Sequence, residues 1–265
     1  DDLGSKIGFA GIRFLFAGIL VTILAIIQKR KFKVEQKSVV AWLLLFAMVN
    51  TALHYLFSYV GLGYLPSSRS TILDSMNGFF AIILSCIIFE DDKFSKFKAL
   101  GCILGFSGIL LINIEPGQNF FQGISFRGDG MILLNAMCGA FGGIITRIIS
   151  KKMDMTVATS LSMTIGGAFL CVVSAIIGPA ARWTITTESI IIMIGLILIS
   201  AVCFGVYNQL LAYHPISKIA IFNAFIPILG VIFSSIILGE PMRVKYIIAG
   251  CMVALGVYVM NHFSK

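Results

Sequence analysis

"PSSRSTILDSMNGFFAIILSCIIFEDDKFSKFKALGC", residues 66 to 102, decides how this chain is read. Shifted by 149 positions it falls on "PISKIAIFNAFIPILGVIFSSIILGEPMRVKYIIAGC", residues 215 to 251, with ten of 37 positions identical. Apolar helices match one another easily, but here polar and helix-end positions match too. Pro66 falls on Pro215, Ser68 on Ser217, Lys96 on Lys245, Gly101 on Gly250 and Asp74 on Asn223. An internal duplication accounts for this pattern, and such repeats govern the architecture of the chains that carry them.

Between Ser67 and Phe89 the first copy is apolar enough to cross a bilayer. Windows of roughly 17–25 mainly apolar residues, the length a hydrocarbon layer requires, recur along the chain. They lie near 7–27, 41–61, 68–89, 96–114, 127–149, 158–178, 189–212, 217–238 and 244–262. With 58% hydrophobic and 12% charged residues, the composition is that of a multi-pass membrane protein, since soluble domains carry about 25% charged residues. The first window begins "DDLGSKIGFAGIRF", has no small-residue cleavage site and is followed by further spans, so it is read as a resident helix.

The net charge of +8 reports topology. With the loop "QKRKFKVEQK" cytoplasmic and sides alternating thereafter, thirteen of the 20 Lys and Arg fall inside and seven outside, the bias expected of a membrane protein. Nucleic acid is therefore not expected as a partner, and the C-terminus is expected in the cytoplasm. The six cysteines all lie in spans with no Cys-x-x-Cys pair, which points to packing residues, with no disulfide framework and no metal site.

In this topology the span at 68–89 and its copy at 217–238 run in opposite directions, so the two halves are expected to be inverted repeats: 1–114 and 127–262. Inverted repeats characterise secondary transporters, in which one part rocks against another around a central site. The second half holds five spans and the first four, which predicts that one helix precedes residue 1. The segments ending "IIFEDD" and "IILGEP", each followed by a Gly-rich helix, and the start "GIRFLFAGILVTILAI" resemble EamA-type members of the drug/metabolite transporter superfamily. The resemblance implies an all-α fold of ten helices in two inverted five-helix repeats, nine of them present here, and export or exchange of small metabolites such as amino acids. Family members carry a proline in the middle of the fourth helix; Pro227 supplies it in the second repeat, whereas Gly78 stands at the aligned position of the first. Both are expected to let their helices deform.

The first copy carries a polar stripe. Ser67, Ser70 or Thr71, Asp74, Asn77 or Gly78, Ala81 and Ser85 recur at three- and four-residue steps and share one helix face. A carboxylate at mid-membrane costs on the order of 3 kcal/mol, so that face must look into the bundle, and Asp74 needs a partner, a solvated cavity or a proton. A blander reading pairs Asp74 with Arg69 or Ser70. Asn50 and His54 lie four apart on the second span and Asn135 lies on the fifth. Tyr207 adds polarity on the seventh and Asn223 takes the place of Asp74 in the second repeat. All seven polar residues are expected to line or couple to a midplane substrate path, with interhelical hydrogen bonding as the plainer role for the asparagines. Arg13 and Arg147 are read as helix-end cations that snorkel to the interface.

These residues point to a transporter of small polar metabolites working by alternating access, with protons as a candidate coupling ion. A channel or receptor is the alternative, disfavoured because nothing resembles a ring-forming filter. An integral membrane enzyme fits least: His54, His214 and His262 are far apart, no di-iron or zinc spacing occurs, and no Walker A motif is present. No cofactor is expected.

Overall fold

In the computed structural model, residues 3–32, 37–88, 95–113, 124–178, 186–214, 219 and 226–262 are described. They form nine helices and no strand: α1 Leu3–Ile27, α2 Lys37–Leu62, α3 Ser67–Ile88, α4 Lys96–Asn113, α5 Phe126–Ile149, α6 Met155–Ile177, α7 Thr187–Tyr213, α8 Ile226–Leu238 and α9 Val244–His262. Helix is what a bilayer dictates, because every backbone N–H and C=O must find its partner within the segment. Six of these helices (α1, α2, α3, α5, α6 and α7) are long and apolar enough to span a membrane, and α8 and α9 are shorter apolar helices over the residues described. The nine-helix, all-α reading of the sequence stands.

Two of the helices are interrupted. α2 passes through a π-helical turn at Met48–Leu53. α3 breaks at Ser75, between Ser67–Asp74 and Met76–Ile88, where ψ opens to −11°. There the Gly78 N–H donates to the Ser75 carbonyl three residues back, at 3.2 Å. The irregular turn therefore runs from Ser75 to Gly78, directly after Asp74. Pro227 is buried in the second position of α8 as described, and the residues before that helix lie outside the described set.

The chain forms two compact units, each drawing on both halves of the sequence. The first comprises Asp1–Tyr59 and Phe141–Tyr213; the second comprises Val60–Ala140 and His214–Lys265. In the first unit α1 lies along α6 on a seam of small residues. Gly4, Gly11 and Gly18 recur every seven positions: Gly4 meets Ser174, Gly11 meets Cys171 and Gly167, and Gly18 meets Thr164. A Cβ on Gly18 would stand 2.4 Å from Thr164 Oγ1 and 2.5 Å from its backbone nitrogen, and one on Gly167 would stand 2.4 Å from the Leu15 nitrogen. Such close approach is how membrane helices associate where no hydrophobic driving force exists, by van der Waals packing and short polar links. One link is present: Ser174 Oγ donates to the Gly4 carbonyl at 2.6 Å.

The second unit is centred on α3. Ile72, Leu73, Met76, Phe79 and Ile82 pack with Ile132 and Ala136 of α5, Val231 of α8 and Val253 and Val257 of α9. The Phe79 ring occupies the space a side chain would need at Gly105 of α4, so that glycine is a packing contact. The start of α3 is held by Glu240, from the loop between α8 and α9. Its carboxylate accepts from Ser67 N at 2.7 Å, Ser68 N at 3.0 Å and Ser68 Oγ at 2.5 Å. An anion at a helix N-terminus satisfies orphan donors and meets the positive end of the helix dipole.

Candidate functional site

In the second unit the carboxylate of Asp74 accepts a hydrogen bond from Asn135 Nδ2 at 2.5 Å. Asp74 is the last residue before the break in α3, and Asn135 is buried on α5 at 3% exposure. The polar stripe therefore does face inward at this level, with Ser70 and Ser85 buried on the same helix and Asn77 half-buried. Pairing of Asp74 with Arg69 does not occur. Arg69 instead donates from Nη2 to Asp129 Oδ1 at 2.6 Å, and the second Asp129 oxygen accepts from Ser125 N at 2.9 Å. That ion pair closes the start of α3 onto the start of α5, which leaves Asp74 to Asn135.

In the first unit Asn50 sits in the π-helical turn of α2, against Gly142 of α5; a Cβ on Gly142 would stand 2.7 Å from Asn50 Oδ1. The Asn50 amide is buried and its Nδ2 finds no acceptor among the described residues. Neighbouring Thr51 shares a hydrogen bond with Ser162 of α6 at 3.1 Å. One turn on, the half-buried His54 meets the Tyr55 ring edge-on at 4.9 Å between centroids. On α7, Tyr207 is 36% exposed, while the next two residues reach α6: Asn208 donates to Thr159 at 3.1 Å and Gln209 to Thr156 at 2.6 Å. Asn223 lies outside the described residues. Among the described residues no three His, Cys, Asp or Glu side chains gather as metal ligands would.

Arg13 is where the structure corrects the sequence reading. It is not a helix-end cation: it lies about 15 Å along α1 from Leu3, well inside a helix about 37 Å long. Its Nε donates to Ser200 Oγ of α7 at 2.7 Å and its Nη1 to the Tyr59 hydroxyl at 3.4 Å. The guanidinium carbon lies 4.9 Å from the Phe14 ring centre and 5.8 Å from that of Tyr55.

At the far end of α1 an open cavity of about 690 Å³ is lined by Lys29, Arg30, Lys31, Lys152 and Asp154, with Arg30 and Asp154 paired at 3.3 Å.

Buried polar pairs between membrane helices, interrupted helices beside them and a mid-span cation are features of a solute path, and comparison with known proteins supplies the class. The profile of the EamA-like transporter family matches residues 4–114 and again 126–262. This chain belongs to that family. It is 26% identical over 97% of its length to an uncharacterized transporter, YvbV, of Bacillus subtilis, covering 83% of that protein. An uncharacterized transporter of Synechocystis is 25% identical over 95% of this chain and 80% of its own length. A chloroplastic WAT1-related protein of Arabidopsis thaliana is 24% identical over 95% of this chain and 62% of its own length. A solved crystal structure with 10% identity shares the fold at a TM-score of 0.71, over 98% of this chain and 89% of the other. The EamA-like family and its transporter relatives thus place the protein among multi-pass membrane transporters of the drug/metabolite type.

Proposed function

We propose that this EamA-like protein exports or exchanges small polar metabolites such as amino acids by alternating access, and that Asp74 and Asn135 form its substrate-binding or coupling pair. The observation that carries this reading is the 2.5 Å hydrogen bond between them, made inside the membrane at the break in α3. Keeping an ionisable acid there costs about 3 kcal/mol, which marks such residues as functional. Asp74 can hold a substrate ammonium or carry a coupling proton, and Asn135 orients it by donating to one carboxylate oxygen. A helix interrupted beside the acid supplies the local freedom that opening and closing a path requires. The halves 1–114 and 127–262 act in this reading as inverted repeats, with the C-terminus in the cytoplasm. Asn50, His54, Asn77, Tyr207 and Asn223 contribute to the path, and Gly78 and Pro227 to its movement.

Counterflow of amino acids in proteoliposomes tests it. Asp74→Asn, which preserves size and removes the charge, is expected to lower flux at least about tenfold and to flatten its pH dependence. Unchanged flux and unchanged pH dependence would remove Asp74 from the mechanism.

A further inference from the structure

We infer that Arg13 is the anchor for a carboxylate of the transported molecule. This deepens the transporter reading and rests on it.

Arg13 carries an unbalanced charge. Arginine stays protonated under all ordinary conditions, and a cation in mid-span costs at least about 2.5–3.5 kcal/mol. Arg69 and Arg30 each meet a carboxylate, Asp129 and Asp154 respectively. Among the described residues Arg13 has no carboxylate within ion-pair distance and is held by neutral partners only.

Those partners fix its direction. Ser200 is 1% exposed and donates its own hydrogen to the Leu196 carbonyl at 2.6 Å, so its oxygen is turned to accept from Arg13 Nε. Tyr59 takes one Nη1 hydrogen, and the guanidinium lies near the Phe14 and Tyr55 rings, which favours the cation. A guanidinium has five N–H donors. Two are used here, and the second Nη1 hydrogen and both Nη2 hydrogens have no acceptor among the described residues. The end-on fork of Nη1 and Nη2 is the geometry that a carboxylate fills with two parallel hydrogen bonds. Arg13 is half-buried, so packing does not fully enclose its side chain. A phosphate offers similar oxygens, but a lipid headgroup belongs at the membrane surface, and Arg13 stands about 9 Å along the helix inside the apolar window that begins near residue 7.

The full chain in detergent and in nanodiscs would be titrated with phenylacetate, glutarate and leucine, with 2-phenylethylamine and inorganic phosphate alongside. At least one carboxylate is expected to raise the melting temperature, phenylethylamine to have no such effect, and Arg13→Gln to weaken the carboxylate about ten- to a hundredfold. Arg13→Lys, which keeps the charge and loses the fork, is expected to recover only part of it. Should Arg13→Gln fail to fold, Ser200→Ala tests the same point with the charge in place, and is expected to weaken binding several-fold. No response to any carboxylate, or equal binding by wild type and variants, overturns the inference. So does a response confined to phosphate or to nanodiscs made with phosphatidylglycerol, which would mark a lipid site. Flux through proteoliposomes separates the two claims. Amine flux unaffected by Arg13→Gln, without carboxylate binding, overturns the anchor and leaves the transporter; carboxylate binding through Arg13 without any flux retains the anchor and removes the transporter.

Discussion

Removing the charge of Glu240 should loosen the start of the helix that carries Asp74. In Glu240→Gln one oxygen remains to accept from Ser67 or Ser68, while an NH2 replaces the other and meets a donor. Loss of a helix cap costs about 0.5–2 kcal/mol, and loss of the anion at the helix dipole about 0.3–1 kcal/mol. The carboxylate is partly exposed, so screening places the sum near the low end, at about 1 kcal/mol. For a chain of this size that is a fall of roughly 2–4 °C in melting temperature. The pH dependence is a sharper check. Partial burial pushes this carboxyl up, but the hydrogen bonds from Ser68 and Ser67 outweigh it and hold the carboxyl below its usual 4.5. A group depressed on folding stabilises the protein above its unfolded value and loses that contribution as pH falls through the folded one. Melting curves of wild type and Glu240→Gln should therefore differ at pH 7 and converge below about pH 4.5. Equal melting temperatures at pH 7, or a gap that persists unchanged into acid, would refute the capping argument.

Two further substitutions test the packing. Gly167→Ala should destabilise by about 1–3 kcal/mol, because the new methyl meets the backbone of Leu15, whereas Gly195→Ala on α7, with nothing within 4 Å, should be neutral or stabilising; thermal unfolding in one detergent compares them. Asp129→Asn should leave Arg69 without its counter-ion and cost about 3 kcal/mol, with Arg69→Gln added in the same chain recovering part of the loss, as measured by a double-mutant cycle of melting temperatures.

The helices and the inward face of α3 were legible in the sequence because both depend on local pattern: a run of apolar residues long enough for the bilayer, and polar residues at three- and four-residue steps. The partner of Asp74 was not legible. Arg69 is five residues away in sequence and Asn135 is 61, yet helix geometry turns Arg69 to a different face and toward Asp129, a pairing no local spacing encodes. The π-helical turn that carries Asn50 was equally hidden, since "MVNTAL" has no breaker residue. Arg13 was misread for a similar reason. It was read as a cation reaching the interface, and its partners Tyr59 and Ser200, 46 and 187 residues away, leave no local sign in the sequence.

Polar groups inside these spans divide by how they are satisfied, and the division bears on function. Thr51 with Ser162, Asn208 with Thr159 and Gln209 with Thr156 join neutral groups across helices and need nothing more. Model systems value such bonds at about 0.6–2 kcal/mol, enough to fix helix register. Arg13 is a charge held by neutral groups, and the Asn50 amide is a buried donor with no acceptor among the described residues. A folded chain keeps such groups at a cost of about 1–3 kcal/mol each. If stability alone had set these positions, neutral apolar residues would serve better at both. A bound molecule that presents oxygens to a cation and an amide donor removes that cost only while it is there, which is the differential interaction a transporter needs for its substrate to shift one conformation toward another.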